Sequence, residues 1–160
     1  MDLSIVTPDI LVGTQLLDDR DFRLLESLGV KGIFSLQSDD DLNRAGIRFP
    51  VMEGLATARG MQYLRCPIQD FDPEAVVAKL EGCVRILDEL IQNHERVYVH
   101  CTAGINRSVG VVLAYLVLQR GMDVARAYGL VKSRRPQASP YRLVMEFLNR
   151  KLTERYRQES

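Results

Sequence analysis

Arg96-Val97-Tyr98-Val99-His100-Cys101-Thr102-Ala103-Gly104-Ile105-Asn106-Arg107-Ser108 is the stretch from which the fold is read. Residues 96–100 form a short apolar run suited to a buried strand. Ser108 to Arg120 is a strongly apolar helix closed by Gly121. A strand that passes through a short loop into an apolar helix is half of a βα unit. In sheets built from such units, ligands sit at the carboxyl ends of the strands. The segment directly after residue 100 is therefore where a site is expected.

Working outward, the same alternation continues in both directions. Ser4 to Thr7 and Ile10 to Val12 read as short strands split by a Pro8-Asp9 turn. Asp19 to Leu28 has helical periodicity, with Gly29 behind it as a C-cap. Gly32 to Leu36 and Met61 to Cys66 read as strands, and residues 39 to 61 as one or two short helices with a variable loop. Asp72-Pro73 is a helix start, and its helix runs to about Gln92 with an apolar stripe that includes Cys83. Val124 to Ser133 and Tyr141 to about Arg155 are the last helices. The expectation is an α/β fold: a single domain over residues 1–160, with a largely parallel central sheet of about five strands flanked by helices.

Lys+Arg and Asp+Glu both number 21, so the formal net charge is zero. That balance supplies no global pull toward nucleic acid or anionic lipid, and no aromatic-interleaved basic track marks a nucleic-acid surface. The longest apolar stretch, Val109 to Leu118, is too short to cross a bilayer, so no membrane insertion is expected. The cysteines are Cys66, Cys83 and Cys101. An odd, low count without a secretory signal predicts free thiols in a reducing, cytoplasmic setting. Cys66 and Cys83 read as core, with a resolving role toward an oxidised Cys101 as their one reactive option. No zinc-like Cys or His spacing occurs, so no metal or cofactor is expected. His94 falls at a polar helix end and reads as a charge complement there.

The loop after the strand carries the chemistry. Cys101 and Arg107 stand six positions apart around Gly104. A loop of this length can turn its N–H groups inward as an anion nest, with the next helix N-terminus pointing into the same space. Thr102, Ala103, Gly104, Ile105 and Asn106 would supply that phosphate-binding backbone, and Arg107 would grip two phosphate oxygens with its planar fork. A thiol in such a field ionises more readily and can attack phosphorus in line. Ser108 would donate to the sulfur as it leaves. His100 would orient the loop rather than act as a base. The bland reading of Cys101 is a buried structural cysteine at a strand end.

A phosphate-ester leaving group needs a proton, so an acid is expected nearby. Gln69-Asp70-Phe71-Asp72-Pro73 offers two carboxylates. Asp72 is accounted for as an N-cap before Pro73. Asp70 is free to face the pocket and is the preferred general acid. The alternative is that both are turn residues.

His100 to Ser108 resembles the Cys-x5-Arg signature loop of protein tyrosine phosphatases, in the His-Cys-x-Ala-Gly-x-x-Arg-Ser form of the dual-specificity branch. Lys132-Ser133-Arg134-Arg135-Pro136, followed by Pro140 and a helix, is similar to that branch's C-terminal segment. Ile5 to Gly13, Gly32 to Gln37 and Arg65 to Asp72 resemble plant glucan phosphatases. The resemblance implies a phosphomonoester hydrolase that works through a phosphocysteine on Cys101, without metal. It also implies Asp70 as the acid, at a spacing from Cys101 similar to the family's. Its expected substrates are phosphotyrosine, phosphoserine and phosphothreonine in proteins, with phosphorylated glucan as the alternative. Phe71 would match an aromatic at the glucan site, but Arg48 to Gln62 offers only Phe49 as a further platform. Asn106-Arg107 also resembles RNA 5′-triphosphatases, and a catalytically silent phosphate-binding module is the non-enzymatic option.

Overall fold

The computed structural model describes residues 1–159. Its sheet has five strands, β1 (Leu3–Thr7), β2 (Ile10–Gly13), β3 (Gly32–Ser35), β4 (Gln62–Arg65) and β5 (Val97–His100), in the order β1-β2-β5-β3-β4. Every pair is parallel except β1 with β2, which the Pro8-Asp9 turn joins as an antiparallel hairpin. The central strand is β5, the strand that leads into Cys101.

Both faces of the sheet are covered, which is why its inner strands read as unbroken apolar runs. Successive side chains alternate between two cores. Ile10, Val12, Phe34, Val97 and Val99 pack against α4 (Pro73–Asn93), α5 (Arg107–Leu118), α6 (Val124–Arg134) and α7 (Arg142–Glu159). Leu11, Ile33, Tyr63 and Tyr98 pack on the other face with α1 (Asp19–Ser27) and α3 (Phe49–Ala58). The segment expected to hold one or two short helices contains α2 (Asp39–Ala45) and α3, with only residues 46–48 between them. No described helix is long and apolar enough to cross a membrane.

Register places the site. Gly13 and Ser35 both pair with His100, so the carboxyl ends of β2, β5 and β3 stop level. The chain leaves that edge at Cys101 and re-enters helix at Arg107. Residues 107–117 of α5 are all buried, so the loop between is pinned at both ends by core packing.

Candidate active site

The loop from Cys101 to Asn106 has every carbonyl turned away from the pocket and bonded. The Cys101 carbonyl accepts from His100 Nδ1 at 3.0 Å, and that of Thr102 accepts from the Gln15 N–H at 3.1 Å. The carbonyls of Ala103 and Gly104 accept from Arg135 at 3.3 and 2.6 Å. Ser139 N–H reaches the Ile105 carbonyl at 2.9 Å, and Gly110 N–H reaches that of Asn106 at 2.8 Å. A planar trans peptide points its N–H opposite its carbonyl. The N–H groups of residues 102–106 therefore face inward, and among the described residues no protein acceptor meets them. That is the nest expected from the sequence.

Gly104 makes the turn possible. Its φ is +66°, a left-handed conformation that other residues rarely adopt, and a Cβ there would come within 2.5 Å of the Gly13 carbonyl.

Cys101 and Arg107 lie at the bottom of this loop, 3% and 1% exposed. Both line a pocket of about 170 Å³ with Asp70, Phe71, Ala103, Ile105 and Asn106. A neighbouring hollow of about 260 Å³ shares Asp70 and adds Gln15, Asp41, Arg44 and Thr102. A larger hollow, about 620 Å³, opens beyond Thr102 but holds no nucleophile, so volume does not locate the chemistry. Cys101 Sγ lies 3.2 Å from Ser108 Oγ, within hydrogen-bond reach.

Arg107 is aimed rather than free. Its Nη1 donates to Asp41 at 2.6 Å and to the Ile68 carbonyl at 2.8 Å. Its Nη2 pairs with Asp70 at 3.1 Å. Its Nε is buried without a partner. A buried guanidinium N–H left unsatisfied is expensive, and here it lies beside the nest, where a phosphate oxygen would satisfy it.

Asp41 was not singled out from the sequence. Ser38 and Asp41 form a capping box on α2, a pattern that explains the acid locally. The fold then turns the same carboxylate onto Arg107. Burial alone would raise the Asp41 carboxyl. The Arg107 hydrogen bond and the Ser38 N–H outweigh it and hold the group below the usual carboxylate range.

The two candidate acids are placed differently. Asp72 accepts from the Ala75 N–H at 3.0 Å as the N-cap of α4. Asp70 faces the pocket, with one oxygen on Arg107 and the other on the Phe71 N–H at 3.0 Å. Phe71 adopts φ 58°, unfavourable for a bulky residue, and its ring stands 79% exposed at the rim.

His100 is fully buried. Because the Cys101 carbonyl can only accept, Nδ1 donates to it, and Nε2 accepts from Tyr63 Oη at 2.7 Å. Burial lowers the imidazole from 6.5 to about 4, against the opposing bond to Cys101. The unfolded chain thus binds the proton first. Stability from this site is complete above pH 6.5 and is lost as pH falls through about 4. The drop corresponds to about 3 kcal/mol. Urea titrations at pH 7 and pH 4.5 are expected to show most of it, and His100→Asn should flatten that slope.

The remaining groups lie elsewhere. Cys83 is in the core, and its influence draws the half-buried Cys66 thiol down to about 6. Cys101 Sγ is near Ser108 Oγ instead. His94 caps the end of α4 through its backbone, but its ring bonds the Gln62 side chain at 2.9 Å, so it complements an amide and not the helix carbonyls. Phe49 packs edge-on against Tyr63 at 5.0 Å beneath Arg65. Among the described residues, no three His, Cys, Asp or Glu side chains converge as a metal site.

Comparison with known proteins agrees with this geometry. The chain is 37% identical over 134 residues to the phosphoglucan phosphatase DSP4, amyloplastic, of Castanea sativa, covering 82% of this chain and 36% of that protein. Against laforin of Mus musculus it is 29% identical, over 85% of this chain and 44% of that one. The chain thus spans less than half the length of these two relatives. Human dual specificity phosphatase 28 is 31% identical over 74% of this chain and 69% of its own length. The crystal structure of a single-residue variant of human DUSP28 superposes with a TM-score of 0.73 at 27% identity, covering 100% of this chain and 99% of that one. A human tyrosine phosphatase-like serine/threonine/tyrosine-interacting protein shares the fold, with a TM-score of 0.78 at 21% identity over 96% of this chain and 97% of that one. The family model described as "Dual specificity phosphatase, catalytic domain" matches residues 23–153, and with the Cys101–Arg107 nest inside that span, the chain belongs to the dual specificity phosphatase family.

Proposed function

We propose that the protein is a cysteine-dependent phosphatase that hydrolyses phosphate monoesters on proteins through a phosphocysteine. The observation that carries this reading is the ring of inward N–H groups around Cys101, with an unpartnered Arg107 Nε beside it. A substrate phosphate seated there would take Arg107 Nε and Nη2, drawing Nη2 away from Asp70. Cys101 Sγ forms the S–P bond as the P–O bond to the leaving group breaks. Asp70, released from Arg107, takes up a proton from solvent and delivers it to the departing oxygen. Water then attacks the phosphocysteine, Asp70 takes its proton, and Ser108 donates to the leaving sulfur. The nest holds the equatorial oxygens throughout. The same reading places the enzyme in a reducing compartment such as the cytoplasm, where Cys101 stays reduced.

Asp41 holds Nη1 and so sets the direction of the guanidinium fork. Asp41→Asn is expected to lower kcat/KM by about 10²-fold, the scale of an ångström-sized misplacement. Steady-state hydrolysis of para-nitrophenyl phosphate checks it, and an unchanged kcat/KM would remove Asp41 from the account.

The glucan reading has its own support. The relative at 37% identity is a phosphoglucan phosphatase, and Phe71 is exposed at the pocket rim. Against it, Phe49 is spent on packing. A release assay across phosphotyrosine, phosphoserine and phosphothreonine peptides and phosphoglucan decides between the two. The phosphopeptides are expected to turn over faster. Phosphoglucan in the lead would overturn the substrate assignment, and no release from any of them would overturn the activity.

A further inference from the structure

A phosphate nest works only while its N–H groups stay turned inward, and a loop without a ladder has no internal reason to keep them so. The enforcing group lies behind it. Arg135, the C-cap residue of α6, is a guanidinium with 0% exposure. Its Nε donates to the Gly104 carbonyl at 2.6 Å and its Nη2 to the Ala103 carbonyl at 3.3 Å. Nη1 reaches Ser4 Oγ at 3.1 Å, and the Asp2 carboxylate stands 3.4 Å from both Nη1 and Nη2. A Cβ added to Gly104 would come within 2.8 Å of Nη2, so the fork lies directly against the bare backbone of the loop.

Resting on the phosphatase reading above, we propose that Arg135 is a positioning residue for substrate phosphate. By drawing back the Ala103 and Gly104 carbonyls, it turns the N–H groups of Gly104 and Ile105 toward the phosphate. Two adjacent peptide planes need two donors in fixed relation, which a planar guanidinium offers and an ammonium does not. Burying a cation is unfavourable, and a well-packed apolar residue would serve mere stability at least as well. Asp2, its carboxylate partner, is itself 61% exposed, so the ion pair alone is weak compensation. The two carbonyls explain the placement better than the pair does. Asp2 and Ser4 extend the brace to the N-terminal strand.

The test compares Arg135→Met and Arg135→Lys with wild type, and uses exposed Arg134→Met as a control. Thermal melting, KM and kcat for para-nitrophenyl phosphate, and competitive Ki for inorganic phosphate and orthovanadate are measured on each. A folded Arg135→Met protein is expected to bind both oxyanions at least about tenfold more weakly, the order of one lost amide bond to an anion. KM should rise, and Arg135→Lys should recover part of the loss. Arg134→Met should match wild type. A lowered melting temperature with wild-type Ki and KM would reduce Arg135 to a structural role and overturn the proposal. If Arg135→Met does not fold, Arg135→Lys decides: wild-type Ki overturns the proposal and a weakened Ki supports it. Wild-type protein that neither binds oxyanion nor turns over substrate would overturn the phosphatase reading itself, and this inference with it.

Discussion

Cys101→Ser protein is expected to hydrolyse para-nitrophenyl phosphate about 10⁴-fold or more slowly than wild type, while still binding inorganic phosphate. A serine hydroxyl at this position needs a base in the attacking step, in which Asp70 serves as the acid, and the two nearest polar side chains offer none. The imidazole of His100 is adjacent in sequence, but its Nδ1 is committed to the Cys101 carbonyl and its Nε2 to Tyr63. Ser108, beside the sulfur, is another hydroxyl. Binding should persist because the nest is made of backbone and the clamp is Arg107, neither of which the substitution touches. Comparable turnover in the two proteins would refute the phosphocysteine mechanism.

Asp70→Ala is expected to slow hydrolysis of an alkyl phosphate by about 10²–10⁴-fold, and that of an activated aryl phosphate far less. The reason is the leaving group: an alkoxide must be protonated as it departs, and a nitrophenolate need not be. Asp72→Ala should behave differently. It removes the cap on α4 and so costs about 1 kcal/mol of stability, with no dependence on the leaving group. Turnover measured on both esters separates the two, and leaving-group dependence at Asp72 would reverse the assignment. The present pairing of Asp70 with Arg107 makes sense within this scheme. It holds the carboxylate beside the pocket until a phosphate claims Nη2.

The strand order could not be read from the chain, but its ingredients could. The β5–loop–α5 unit was legible because an apolar run, a loop glycine and an apolar helix are signals carried by neighbouring residues. The segment 39–61 was blurred for the converse reason. Ser38 and Asp41 cap α2 through their side chains, whereas α3 starts at Arg48 with no side-chain cap. Its place is set by packing Met52 and Ala56 onto the sheet. His94 shows the same limit: its position at a helix end was readable, and the Gln62 amide it bonds was not.

Within the site, the spacing of Cys101 and Arg107, the need for Gly104 and the capping of α4 by Asp72, which leaves Asp70 to the pocket, followed from local chemistry. Covalent distance and capping act over a few residues, so the chain alone determined them. Tertiary structure decided which distant groups hold that local machinery in its working shape. Asp41 reaches Arg107 from 66 residues away, and Arg135 reaches the Gly104 carbonyl from 31. In sequence, one is a helix-capping acid and the other a basic residue before a proline, each indistinguishable from a solvated surface charge. Only the packing of α2 and α6 around the carboxyl edge of the sheet removes them from water and turns each onto the loop it braces.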